Sequence, residues 1–201
     1  MVECRRKIGL TMRIVEAQGY LEPRDAIAHD WPRFLQEALP GLDWMFLPNL
    51  GAAHIGEYCA AWGISALILT GGEDIGTAPL RDSTERSLLV WAESKHFPVL
   101  GICRGLQVMA TSAGATLRQV VGHVQQRHVI SENAKEREVN SYHSWGLSEC
   151  PVGYTVIARA ADGEIEAIRN DSANWEGWMW HPERELHFDE LDIKRIRDIF
   201  K

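Results

Sequence analysis

No C-x-x-C pair occurs among the four cysteines, Cys4, Cys59, Cys103 and Cys150, which argues against a zinc knuckle and a thioredoxin-type dithiol. No apolar stretch approaches the ~20 residues that span a bilayer. The opening "MVECRRKIGLTMRIV" has no h-region followed by a small-residue cleavage site. A cytoplasmic location is therefore expected, where every thiol is free. A basic surplus is missing too: 21 Lys and Arg against 28 Asp and Glu leave a net charge of −7, which disfavours a general nucleic-acid groove. Repeats, low-complexity tracts and linkers are absent. With 201 residues, 45% of them hydrophobic, one domain over 1–201 with a sizeable core is expected.

What is present is an alternation of short apolar runs and helical patterns. "KIGLTMRI" reads as a strand, residues 24–39 as a helix with Asp30 as N-cap and Pro32 starting or kinking it, and "DWMFLP" as a strand. "AAHIGEYCAAW" is a helix, "ISALILT" a buried strand ending at Gly71-Gly72, and "STERSLLVWAESKH" a helix opened by a Ser-Thr cap. "PVLGI" is a strand and "RGLQVMATSA" the helix leaving it. Such βαβα alternation predicts an α/β fold, a parallel sheet covered on both faces with its site at the carboxyl ends of the strands. Farther on, "EVNSYH", "YTVIARA", "EIEAIRN" and "WEGWMWH" read as short strands making a mixed edge. "DELDIKRIRDIFK" is an amphipathic helix with Ile193, Ile196, Ile199 and Phe200 inward. The eight tryptophans are expected to pack core and edge strands.

Cys103 stands apart from the other thiols. Gly101-Ile102-Cys103-Arg104-Gly105 has the form G-x-C-x-G, the thiol counterpart of a nucleophile elbow, in which flanking glycines admit a sharp strand-to-helix turn. The helix N-terminus favours the thiolate, and the Arg104 N–H lies where an oxyanion would form. A cysteine nucleophile needs a base and a group that orients the base. His181 and Glu183 in "WMWHPERE" are two apart, so an extended backbone points both to one side. Gly72 in "LILTGGEDI" is the second candidate oxyanion donor, through its N–H. No metal site is expected, because no carboxylate or cysteine at ligand spacing joins His123 and His128. Arg118, His123, Arg127 and His128 are read as a solvated loop, with a basic rim for an anionic leaving group as the other reading. Arg24 is read as beginning a helix and pairing with a neighbour, or as lying near the pocket.

"LTGGEDI", "PVLGICRGLQ", "VNSYHSW" and "MWHPE", in this order, resemble the class I glutamine amidotransferase superfamily, and "GICRG" resembles its γ-glutamyl hydrolase branch. "YLEPRDAIAHDW" and "WHPERE" are similar to a short bacterial subgroup acting on γ-glutamyl-CDP-amidate. The resemblance implies a flavodoxin-like three-layer sandwich with a mostly parallel central sheet and a mixed C-terminal edge. It also implies the triad Cys103, His181 and Glu183, with Gln107 and the backbone of Tyr142, His143, Ser144 and Trp145 holding the glutamyl group. Trp145 stands where members of the family often carry Gln.

Three functions are carried forward. The first is hydrolysis of a small-molecule γ-glutamyl amide, such as γ-glutamyl-GABA or γ-glutamyl-CDP-amidate, through a thioester. The second is a glutaminase subunit passing ammonia to a partner synthase, and the third a non-catalytic binding protein of the same fold. No cofactor, nucleic acid or membrane partner is expected, and a homodimer is left open.

Overall fold

In the computed structural model, residues 6–132 and 134–201 are described; Cys4 lies outside them. The chain runs β1 (Lys7–Thr11), β2 (Arg13–Glu16), β3 (Pro23–Ala26), α1 (Asp30–Ala38), β4 (Asp43–Leu47), α2 (Ile55–Ala61), β5 (Ala66–Leu69), α3 (Pro79–Lys95), β6 (Val99–Ile102) and α4 (Arg104–Ser112). It continues through β7 (Leu117–Gln119), β8 (Val124–Glu132), β9 (Lys135–Tyr142), β10 (Trp145–Leu147), β11 (Thr155–Ala160), β12 (Ile165–Asn170) and β13 (Trp175–Trp178). A 3-10 turn (Pro182–Arg184) then leads to α5 (Glu190–Ile199). No helix is long and apolar enough to cross a membrane among the described residues.

A nine-stranded sheet in the order β4-β1-β5-β6-β13-β12-β11-β8-β9 forms the middle layer. The first five of these strands pair in parallel. From β13 onward every pairing is antiparallel, which is the expected mixed edge. β5 and β6 are buried at every residue, as strands covered on both faces must be. One face carries α1 and α5, whose Phe34, Leu35, Ile193 and Ile196 join Ile8, Ile68 and Leu100 in one core cluster. On the other, α2, α3 and α4 bring Ile55, Leu88 and Val108 against Leu67 and Val99. Ile193, Ile196, Ile199 and Phe200 all face inward, as the helical spacing predicts.

Several boundaries differ from the sequence expectations. The strand expected over "KIGLTMRI" breaks at Met12, and β2 leaves the sheet to pair with β3 as a separate ribbon. The helix expected from Arg24 begins at Asp30 instead, because residues 23–26 are that ribbon's second strand. Asp30 therefore lies in the first helical turn rather than capping it. α3 starts at Pro79, whose missing N–H costs nothing at a helix start. Ser83 and Thr84, expected to cap α3, instead accept the N–H groups of Ala52 and Gly51 at 3.1 and 2.8 Å. Of the segment holding Arg118, His123, Arg127 and His128, expected to be a solvated loop, Arg118 lies in β7 and Arg127 and His128 in β8, with His123 in the short connection between them.

Candidate active site

The parallel strands end where the "GICRG" turn begins. Cys103 has φ 52°, ψ −105° between β6 and α4, a conformation that costs a side-chain-bearing residue ~1–3 kcal/mol and persists only when its surroundings enforce it. Its N–H is held by the Trp178 carbonyl at 2.7 Å. The flanking glycines are steric necessities: a Cβ on Gly105 would stand 2.1 Å from the Leu69 carbonyl oxygen, and one on Gly101 2.6 Å from the Gly105 carbonyl carbon.

β13 runs beside β6 and delivers His181 just beyond its own end. His181 Nδ1 lies 2.7 Å from Glu183 Oε1, with both residues buried. Because a carboxylate only accepts, Nδ1 carries the proton and Nε2 is left for other chemistry. Burial pushes the imidazole down, but the Glu183 carboxylate and the Cys103 sulfur outweigh it and raise its pKa to about 9. A Cβ on Gly71 would stand 2.5 Å from His181 Cε1, so this strand end closes against the imidazole.

Residues 51–194 match the glutamine amidotransferase class-I family. The chain belongs to that family. It is 28% identical over 193 residues to the γ-glutamyl-CDP-amidate hydrolase of Campylobacter jejuni, covering 92% of this chain and 94% of that protein. It is 31% identical over 153 residues to the pyocyanine-specific anthranilate synthase component 2 of Pseudomonas aeruginosa, covering 70% of each. A solved structure from Thermoplasma acidophilum, of a protein provisionally named as a component of GMP synthase, superposes with a TM-score of 0.72 at 20% identity, covering 98% of this chain and 92% of that one. That likeness is one of fold.

In this amidotransferase chain, Gln107 projects from α4 and donates from Nε2 to the Trp145 carbonyl at 3.0 Å. The 142–145 segment is thereby tied to the helix that follows Cys103. Tyr142 sets its ring edge-on to His181, 5.7 Å between centroids. Trp145 Nε1 donates to Asp74 at 3.1 Å, joining this segment to the loop after Gly72. The Ser144 carbonyl accepts from Val120 N–H, pinning the segment to β7. The His143 side chain meets His123 and Glu166.

Gly72 lies at the turn where a Cβ would meet the Arg81 guanidinium at 2.1 Å. The Arg104 side chain is buried and ion-paired to Glu85 and Asp82, so its backbone, not its charge, faces the turn. Arg118 and Arg127 are half-exposed and paired to Glu164, and to Glu138 and Glu185. Arg24 pairs with Glu22 in the β2–β3 ribbon.

Two features escaped sequence reasoning. Asn140 braces His181 reciprocally, accepting from its N–H at 2.9 Å and donating to its carbonyl at 2.8 Å. Asn140 sits within "VNSYHSW", but an amide that bonds backbone leaves no spacing to detect. The second corrects the expectation that no carboxylate joins His123 and His128. Glu166 from β12 lies 3.3 Å from His123 and 3.5 Å from His128, supplied by the sheet rather than by local spacing.

Proposed function

We propose that the protein hydrolyses a γ-glutamyl amide, releasing glutamate and an amine through a thioester on Cys103. The observation that carries this reading is the strained turn at Cys103, whose sulfur interacts with the His181 imidazole, the far nitrogen of which is bonded to Glu183. The similarity to γ-glutamyl-CDP-amidate hydrolase along 92% of the chain supports the same bond class. In this mechanism the Cys103 thiolate attacks the δ-carbonyl carbon, and the N–H groups of Gly72 and Arg104 receive the oxyanion. His181, charged beside the thiolate, protonates the departing nitrogen as the C–N bond breaks. It then takes a proton from water, which attacks the thioester and frees glutamate and the thiolate. Glu183 keeps the imidazole oriented and stabilises its charged form. Gln107 and the backbone of residues 142–145 hold the glutamyl group at the mouth of the turn.

A second reading, a glutaminase subunit serving a synthase, is favoured by the 31% identity to an anthranilate synthase component. Glutamate release from glutamine, γ-glutamyl-GABA, a γ-glutamyl dipeptide and γ-glutamyl-CDP-amidate separates the two. Higher kcat/KM on a substituted amide than on glutamine is expected. Preference for free glutamine would replace the hydrolase reading with the amidotransferase one.

A further inference from the structure

Behind the backbone of the 142–145 segment lies a second buried polar centre, whose side chains have no part in the chemistry above. His123, His143 and Glu166 are 3%, 3% and 0% exposed. Each imidazole has one nitrogen committed outward. His123 Nε2 meets Asp162 Oδ2 at 2.8 Å, and His143 Nδ1 meets the Trp145 carbonyl at 3.1 Å. Both partners are acceptors only, so both outward nitrogens carry their protons. In the neutral rings the lone pairs of His123 Nδ1 and His143 Nε2 therefore point inward.

Those two nitrogens are 3.1 Å apart, and each is 3.3 Å from Glu166 Oε1. Three electron-rich atoms thus converge on one point. Neither Glu166 oxygen has a hydrogen-bond partner among the described residues. A single proton bridges two such atoms and leaves the third bare, whereas a metal ion bonds all three. Tetrahedral zinc with Zn–N bonds of ~2.0–2.1 Å separates its ligand atoms by about 3.3 Å, which is the spacing found. The outer contacts fit as well: a carboxylate or carbonyl commonly fixes the tautomer of a metal-ligating histidine.

We propose that His123 Nδ1, His143 Nε2 and Glu166 form a buried three-ligand site for a divalent transition-metal ion, with zinc the best fit. His128 Nε2 lies 3.5 Å from Glu166 Oε2, and Asp162 and the Trp145 carbonyl orient the two rings. The ion would tie β8, the end of β9 and β12 together. It would also fix Trp145, whose carbonyl is shared by His143 and Gln107. The site stands independently of the reaction at Cys103.

The test is elemental analysis of untagged protein purified without chelator, followed by Zn2+ titration against a chromophoric chelator, both repeated in a Cys103→Ala background so that the reactive thiol binds no zinc. About one zinc per chain is expected in both backgrounds. Glu166→Gln should lose it. Should Glu166→Gln not fold, Asp162→Asn, on a half-exposed outer partner, should keep the fold and weaken zinc by about 10–100-fold. Replacement by Co2+ should give visible absorption in Cys103→Ala that Glu166→Gln lacks. The proposal is overturned if the folded wild type neither carries nor takes up stoichiometric metal. It is equally overturned if zinc disappears with Cys103→Ala but survives Asp162→Asn at full affinity.

Discussion

Cys103 and Arg104 are consecutive residues at one turn, yet they serve opposite ends of the molecule's physics. The thiol faces an imidazole and a carboxylate across the mouth of the parallel sheet. The guanidinium runs back into the fold, where it and Arg81 share Glu85, which Thr11 also bonds at 2.7 Å. Arg81 in turn holds the Thr70 and Gly71 carbonyls at 2.7 and 3.2 Å. A buried charge set of this kind gains little over an apolar core but is costly to break. The lesson is that a strained cysteine turn needs two kinds of support: steric room from its flanking glycines, and a satisfied charge lattice behind.

The largest expected effect separates the two sides outright. Cys103→Ala should lower glutamate release by about 10^4-fold or more while changing unfolding free energy by less than about 1 kcal/mol. Retained turnover in that variant removes the mechanism. On the other side, Glu85→Gln strips the shared counter-charge from two buried guanidinium groups. It should cost about 3–5 kcal/mol in denaturant unfolding. An unchanged unfolding midpoint would show that the lattice carries no stability.

Proton linkage sharpens the comparison from the thiol side. The His181 pKa is raised to about 9 from an ordinary value of 6.5. The stability contributed by its charged form is therefore fully present below about pH 6.5 and is lost as pH rises through about 9. The expected loss is of order 3 kcal/mol. Guanidinium unfolding at a series of pH values should show this slope, and Glu183→Gln should flatten it. A slope unchanged in Glu183→Gln would assign the linkage elsewhere. The smallest effect is at Asn140. Asn140→Ala leaves the His181 N–H and carbonyl without their partners and should cost about 1–2 kcal/mol, with a larger drop in kcat than in KM. A stability loss with kcat unchanged would make Asn140 a packing residue.

Legibility followed how local each cause was. β5, β6 and α5 were readable because burial on both faces demands an unbroken apolar run and burial on one face demands helical spacing. The β2–β3 ribbon was not, since "RIVE" and "PRDA" are short and partly exposed, and nothing in four such residues competes with a helical pattern beginning nearby. β8 was hidden for the same reason: "VQQRHVISE" is exposed over its first four residues and alternates only weakly. The turn at Cys103 and the contact of His181 with Glu183 were visible because a glycine-flanked turn and an x-Pro-x pair impose fixed local spacing. Glu166 was invisible because its partners, His123 just before β8 and His143 just after β9, are far from it in the chain.

The sequence by itself determined the alternating α/β order, the glycine-flanked cysteine turn and the pairing of His181 with Glu183, because each rests on interactions within a few residues. Only the tertiary structure decided that Arg104 turns inward to Glu85, that Asn140 braces His181, and that Glu166 meets two histidines. Those contacts join residues 19, 41 and 23 to 43 positions apart. Burial then makes each of them matter, since a polar group removed from water must find its partner wherever the sheet brings one.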